Sequence, residues 1–387
     1  MTIGIPKEIK EHEYRIGATP AMVKALVDAG HDVSVQANAG TKIGFTDEMF
    51  SAAGAKIVPT PNDIYQNEMI IKVKEPQPAE FPLLREDQIL FCYLHLAPDP
   101  EQTKQLVDSK VVAIAYETVT DARGTLPLLM PMSEIAGRIS IQVGATHLQM
   151  NHGGRGLLLG GVPGVAPARV VVIGGGVVGT EAARMAMGLG ANVTILDKDI
   201  NRLRALDAMF GPNLKTVYST TYSIEETVAR ADLVIGAVLI PGKTAPKLIT
   251  RKMIQQMSPG SVIVDVAIDQ GGCTETSRPT THGNPTYVVD GIIHYCVTNM
   301  PGACARTSTQ ALTNATMDYA LLIANKGYKA ALLENHGLRQ GLNVCHGHVT
   351  NEAVAHDLGY AFHAPERVLQ SHNNCSNHCN TKTVITK

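Results

Sequence analysis

Along this chain, short apolar runs alternate with amphipathic stretches, and Gly, Pro, Asn and Asp punctuate the junctions. Residues 2–6, 31–37, 56–58, 68–74, 88–95 and 111–118 read as strands. Between the first two, Thr19 is an N-cap with Pro20 at the first helical position, and Gly30 closes that helix. Residues 99–109 supply another helix. This β-α-β rhythm predicts a parallel sheet with helices on both faces. Further on, Ser133 is the expected N-cap of a helix over 134–150, followed by a Gly-rich segment at 153–164. A buried strand at 170–173 runs into a helix ending at Gly190, and the next strand covers 192–196. Strand-like runs recur at 216–219, 232–239, 261–269 and 287–290, and residues 309–325 carry helical spacing. Periodicity is lost over 370–387, which reads as a loose tail.

Composition narrows the class. A chain of 387 residues is too long for one ordinary core and predicts two domains. With 44% hydrophobic and 18% charged residues it is a soluble globular type, and a net charge of -2 argues against a nucleic-acid partner. No apolar run reaches the ~18 residues of a membrane span. The first ten residues lack the apolar core of a signal peptide. Seven scattered cysteines form no disulfide framework, which fits a reducing cytoplasm.

The strand at 170–173 leads into Gly174-x-Gly176-x-x-Gly179. Such a turn at a helix N-terminus lets backbone N–H groups and the positive end of the helix dipole approach a pyrophosphate. Gly174 permits the tight turn, Gly176 the close approach of phosphate, and Gly179 the helix–strand packing. Asp197 ends the next strand, roughly 20 residues past the glycines, where a carboxylate accepts from the ribose hydroxyls. A GxGxxG alone is weak, but strand, helix, second strand and acid in register predict an NAD-type dinucleotide.

In open α/β sheets, ligands sit beyond the carboxyl ends of the strands. Arg15 follows the first strand, Lys74 and His95 end two others, and Asp269 ends the run at 261–269. Singly, each is more often a solvated cation, a structural histidine or a turn cap. Together they suggest a cleft where two cations, an imidazole and a carboxylate meet one small substrate.

The chain also carries Ile3-Gly-Ile-Pro-Lys-Glu-Ile, Lys72-Val-Lys-Glu-Pro76 and Tyr93-Leu-His-Leu-Ala97. Met130-Pro-Met-Ser-Glu-Ile-Ala-Gly-Arg138, Asp265-Val-Ala-Ile-Asp-Gln-Gly-Gly-Cys273 and His294-Tyr-Cys-Val-Thr-Asn-Met-Pro-Gly302 follow. On these blocks residues 1–369 resemble the L-alanine dehydrogenase family, and more distantly transhydrogenase α-subunits and saccharopine dehydrogenase. The resemblance implies an α/β fold of two Rossmann-like, doubly wound domains. The NAD-binding domain (130–306) is inserted into the substrate domain (1–129), to which helices in 307–369 return. It implies reversible oxidative deamination of L-alanine to pyruvate and ammonium with NAD, in a cytoplasmic homohexamer with neither membrane nor nucleic-acid partner.

By the same resemblance, Arg15 and Lys74 hold the substrate carboxylate, His95 moves the proton at the reacting nitrogen or oxygen, and Asp269 is the second catalytic group. Lys74 counts as catalytic too, and Asn299 lines the pocket. Ser133, Gly174, Gly176, Val178, Gly179, Asp197, Arg202 and Ser219 are the implied cofactor contacts, with Val238, Leu239, Ile268, Asp269, Arg278, Val297 and Met300. The division of labour between His95 and Asp269 stays open. Three departures stand out. Cys304-Ala305 replaces the more usual Val-Pro, and Lys326 stands where some relatives have a His proposed to bind a metal with the acid matching Glu117. No metal is therefore expected. The tail runs past the usual family end, and its His372, Cys375, His378 and Cys379 are ligand types without an evident packed shell. The rival is a dinucleotide-binding, transhydrogenase-like subunit with no amino-acid substrate, which would leave Lys74 and His95 without a use.

Overall fold

The computed structural model describes residues 1–238 and 244–371. Leu239 and the four tail residues His372, Cys375, His378 and Cys379 lie outside the described residues. The chain forms two compact units, one from Met1–Pro131 and the segment from Cys304 onward, the other from Met132–Ala303. In chain order the strands are β1 (Thr2–Ile5), β2 (Asp32–Gln36), β3 (Lys56–Val58), β4 (Met69–Ile71), β5 (Ile89–Cys92) and β6 (Val112–Ala115). The second unit contributes β7 (Arg169–Ile173), β8 (Asn192–Asp197), β9 (Leu214–Tyr218), β10 (Leu233–Gly236), β11 (Val262–Asp265), β12 (Thr286–Val289) and β13 (Ile292–Tyr295). Back in the first unit come β14 (Leu342–Cys345) and β15 (His348–Val349).

The first unit holds an eight-stranded sheet in the order β15-β14-β6-β5-β4-β1-β2-β3. β1 to β6 are parallel, and β14 runs antiparallel to both β6 and β15. The second unit holds seven strands in the order β12-β13-β11-β10-β7-β8-β9, parallel except for β12. Each is a doubly wound arrangement in which the winding reverses, between β1 and β4 in one and between β7 and β10 in the other. Alternate residues of β7 serve different cores. Val170 and Val172 pack with Ala182, Ala183 and Ala186, whereas Val171 and Ile173 pack with Val228 and Met253. A strand buried on both faces reads as an unbroken apolar run, which is why this one is so plain in the sequence.

Caps set the helix starts. Thr19 accepts from the Met22 N–H at 3.3 Å ahead of the helix Pro20–Asp28, and Asp99 from the Gln102 N–H at 3.0 Å ahead of Pro100–Asp108. Ser133 is not an N-cap. The helix Met130–His147 starts earlier, from a turn in which Met130 N–H donates to the Leu126 carbonyl, and Ser133 lies within its first turn. Pro131 suits that turn because it has no N–H to satisfy.

Three predicted strands also end early, each because a side-chain carboxylate takes the backbone N–H groups. Beyond β4, Glu8 accepts from Val73 and Lys74 at 2.7 and 3.3 Å. Beyond β5, Glu117 accepts from Leu94 at 3.2 Å and His95 at 2.6 Å. Beyond β11, Asp265 accepts from Ala267 at 3.1 Å and opens the 3-10 helix Val266–Gln270. Lys74, His95 and Asp269 therefore sit on capped turns past the strands rather than at strand ends. The segment after residue 307 adds the hairpin β14–β15 to its helices, and the tail expected from 370 begins within the helix Pro365–Ser371.

Candidate active site

In the first unit, Arg15 is almost wholly buried and already chelated. Its Nε and Nη2 donate to Glu13 Oε1 and Oε2 at 2.7 and 2.6 Å, a two-pronged pair that fixes the plane of the guanidinium. Burial alone would lower its pKa, but the Glu13 carboxylate more than compensates and holds it charged. Lys74 lies on the turn after β4, with Nζ 3.6 Å from Glu75 Oε2. Beneath it Lys72 is fully buried between Glu8 (3.0 Å) and Glu80 (3.2 Å). Burial pulls the Lys72 ammonium down, yet the two carboxylates outweigh it and push its pKa up.

His95 is half exposed and has a left-handed backbone, with φ of 49°. Glu117 holds it there through the N–H bond and also lies 3.8 Å from its Nδ1. The ring stacks at 5.8 Å on Tyr93, whose hydroxyl donates to the Leu128 carbonyl at 2.6 Å. Burial pushes the Tyr93 phenol up against the pull of Arg15, so it stays protonated.

In the second unit, the strand–turn–helix is formed as the glycine spacing requires. Gly174 has φ of 101°, and a Cβ there would meet the Ala237 carbonyl oxygen at 2.7 Å. A Cβ at Gly179 would lie 1.8 Å from the Gly174 oxygen, whereas one at Gly176 would enter open space. The turn thus presents free volume at the N-terminus of the helix Val177–Gly188, the shape a pyrophosphate needs. Asp197 closes the turn from the neighbouring strand. Its Oδ2 accepts from Gly175 N–H at 2.6 Å, its Oδ1 from Asp199 N–H at 2.8 Å, and its carbonyl from Ser219 N–H at 2.9 Å. Arg202 braces the same turn through the Gly175 carbonyl and the Thr180 hydroxyl. The residues present fit a dinucleotide.

The other predicted contacts differ in what they offer. Val178, Ile268, Val297 and Met300 are buried, Val238 and Ser133 half-buried, and Asp269 and Arg278 exposed. Arg278 lies over the Tyr287 ring at 4.2 Å. Asn299 has a left-handed backbone, and its carbonyl accepts from His282 Nε2 at 3.1 Å. Asp269 rides on the 3-10 helix that Asp265 secures at both ends, by Ala267 at the start and by Cys273 N–H at 2.8 Å past its end. Ser277 donates to the same Asp265 carboxylate at 2.5 Å.

Glu8, Glu13, Lys72, Glu80 and Asp265 also belong to this framework, though no motif in the sequence singles them out. One signal was available: Lys72 interrupts an apolar run of Met69, Ile70, Ile71 and Val73, and a buried ammonium demands acid partners. Lys326 pairs with Glu334. Among the described residues no three His, Cys, Asp or Glu side chains gather as a metal site.

Known proteins resemble the chain over nearly its whole length. The family described as Alanine dehydrogenase/PNT, N-terminal domain, matches residues 4–136, and Alanine dehydrogenase/PNT, C-terminal domain, residues 140–352. An alanine dehydrogenase of Methanococcus maripaludis is 58% identical, over 93% of this chain and 98% of its own length. One of Bacillus subtilis is 56% identical over 96% and 98%. A solved L-alanine dehydrogenase superposes with a TM-score of 0.91 at 53% identity, covering 93% of this chain and 99% of that one. A transhydrogenase from Sinorhizobium meliloti shares the fold, at 23% identity and a TM-score of 0.79, over 90% and 100%. With the dinucleotide turn and the two doubly wound sheets already in view, these matches mean that the chain belongs to the alanine dehydrogenase/PNT family.

Proposed function

We propose that the chain catalyses the reversible oxidative deamination of L-alanine to pyruvate and ammonium with NAD. The observation that carries this reading is that Arg15, Lys74 and His95 all lie on the segments that follow β1, β4 and β5, three adjacent parallel strands of the first unit's sheet. Relatives named alanine dehydrogenase support the choice of substrate. Arg15 brings its guanidinium charge to the substrate carboxylate in the plane that Glu13 fixes, and Lys74 adds a compact point charge. His95 takes the proton that the substrate ammonium must lose before its α-carbon can give up hydride, because an imidazole works as a base near neutral pH. The Glu117 carboxylate, near Nδ1, stabilises the imidazolium that results. Asp269 serves the later proton transfers, when water adds to the imine and ammonia leaves, and Asn299 adds an amide to the substrate pocket.

When bound, NAD supplies the hydride acceptor. The glycine turn would receive its pyrophosphate over Gly176, with Gly174 making the turn and Gly179 the close packing beneath it, while the carboxylate of Asp197 would accept from the adenosine ribose and disfavour a 2′-phosphate. Ser133, Val178, Arg202, Ser219, Val238, Leu239, Ile268, Arg278, Val297 and Met300 complete the binding surface. A cytoplasmic homohexamer belongs to the same reading. Exposed apolar side chains at Met150, Leu158, Val162 and Val165 support self-association. No helix among the described residues is long and apolar enough to cross a membrane. Mixing the purified protein with L-alanine and NAD at alkaline pH should produce NADH, with far less from NADP. Absence of NADH, or equal use of both cofactors, would overturn the corresponding part of the proposal.

A further inference from the structure

The reversal of winding between β1 and β4 is where a doubly wound sheet opens a crevice beyond its strand ends. In the second unit the equivalent place holds the glycine turn. In the first unit the chain fills it with its own charges. Glu8 enters from the loop after β1 and Lys72 from the segment after β4, both fully buried and 3.0 Å apart. Lys72 is shared with Glu80, whose Oε1 also accepts from the Tyr65 hydroxyl at 2.9 Å and whose Oε2 accepts from Gln77 N–H at 2.8 Å. Among the described residues, the second oxygen of Glu8 faces main chain rather than side chains. It accepts from the backbone N–H groups of Val73 at 2.7 Å and Lys74 at 3.3 Å.

A buried ion pair is a weak source of stability, since well-packed apolar residues of similar volume often do as well or better. What this pair supplies is geometry. Lys72 fixes one oxygen of Glu8, and the fixed carboxylate then dictates where the chain leaves β4, hence where the Lys74 side chain begins. Burial pushes the Glu8 carboxyl up while Lys72 opposes it. A carboxylate placed against that resistance, with one oxygen on the peptide of Lys74, is spent on orientation.

We propose that Glu8, braced by Lys72, is a positioning residue for Lys74, setting the approach of its ammonium to the substrate carboxylate. The inference rests on the role given to Lys74 under the proposed function. It places the requirement on an acceptor for two N–H groups, not on the negative charge itself.

Two double variants separate these. Glu8→Gln with Lys72→Met keeps a carbonyl acceptor and removes the buried cation that would otherwise face the new amide. Glu8→Leu with Lys72→Met removes the acceptor as well. Both leave Glu80 with Tyr65 and Gln77, so they differ only at the proposed contact. The KM for L-alanine and for pyruvate should rise at least about tenfold in the second and clearly less in the first, which loses the brace but keeps the acceptor, with the dissociation constant for NADH unchanged in both. Equal KM values in the two variants overturn the inference, as does a rise in KM accompanied by an equal loss of NADH binding, which marks a general structural role. Lys74→Ala is measured alongside. If it turns over alanine normally, the reading of Lys74 has failed first, and Glu8 loses the function assigned to it for that separate reason.

Discussion

At the scale of single residues, His95 is held in a conformation that an L-residue seldom adopts. Left-handed backbone at a non-glycine residue is uncommon, and here the Glu117 carboxylate compensates by accepting its N–H. The side chain stays half exposed while its main chain is tied down, which suits the proton-transfer role proposed for it. His95→Ala should lower kcat by about two orders of magnitude or more. Single-turnover kinetics should place the loss in hydride transfer and leave NADH release as it was; slow release alone would contradict the assigned role. Glu75 makes a different prediction. Burial resists its ionisation, but Lys74 and then Lys10 outweigh that and hold its pKa at about 2, below the ordinary value of 4.5. A carboxyl depressed in the folded chain stabilises it fully above the ordinary value, and that contribution fades as pH falls toward 2. Glu75→Gln should therefore be less stable than wild type near about pH 6, and the gap in Tm should shrink on acidification toward about pH 3. A gap that widens on acidification would refute the ion-pair account.

Elements reveal what their junctions tolerate. The glycines of the dinucleotide turn look interchangeable in sequence, yet they meet different surroundings. At Gly179 an added methyl collides with the Gly174 carbonyl at 1.8 Å, where backbone cannot yield cheaply. At Gly176, with φ of -65° and open space beyond, alanine fits the protein without strain. Gly179→Ala should lower Tm and NADH affinity together. Gly176→Ala should leave Tm nearly unchanged while weakening NADH at least about tenfold, since the methyl occupies space reserved for phosphate. Calorimetry with NADH titration checks both, and equal loss of stability in the two would mean that the open space at Gly176 has no functional meaning. The strand ends carry a related lesson. Apolar character continues past Ile71, Cys92 and Asp265, but in each case a carboxylate from elsewhere in the chain or from the strand's own end captures the next N–H groups and turns it.

For the molecule as a whole, the second unit carries an exposed apolar surface on the segment around 150–165, where Val162 and Val165 pair across a tight turn. Exposed apolar clusters on soluble proteins commonly mark contacts with another chain. Val162→Asp combined with Val165→Asp should lower the molar mass in solution, read by sedimentation velocity, with little change in the secondary-structure signal. An unchanged assembly would show that this surface is not where copies meet.

What the sequence determined by itself was whatever lies within a few residues of its cause. The parallel α/β alternation, the capped helices at Thr19 and Asp99, the glycine turn and Asp197 at the end of β8 all follow from local sterics and short-range periodicity. So do the positions of Arg15, Lys74 and His95 on the segments that follow strands. Tertiary structure alone decided how those groups are held. Glu8 and Lys72 are 64 residues apart, and Glu117 and His95 are 22 apart. The hairpin β14–β15 joins a sheet whose other strands lie more than 200 residues earlier. A charge is buried or solvated according to which strand ends converge around it, and strand order is a property of the folded sheet. No window of sequence contains it, so the carboxylates that fix the candidate site looked like ordinary polar loop residues until the strands were in place.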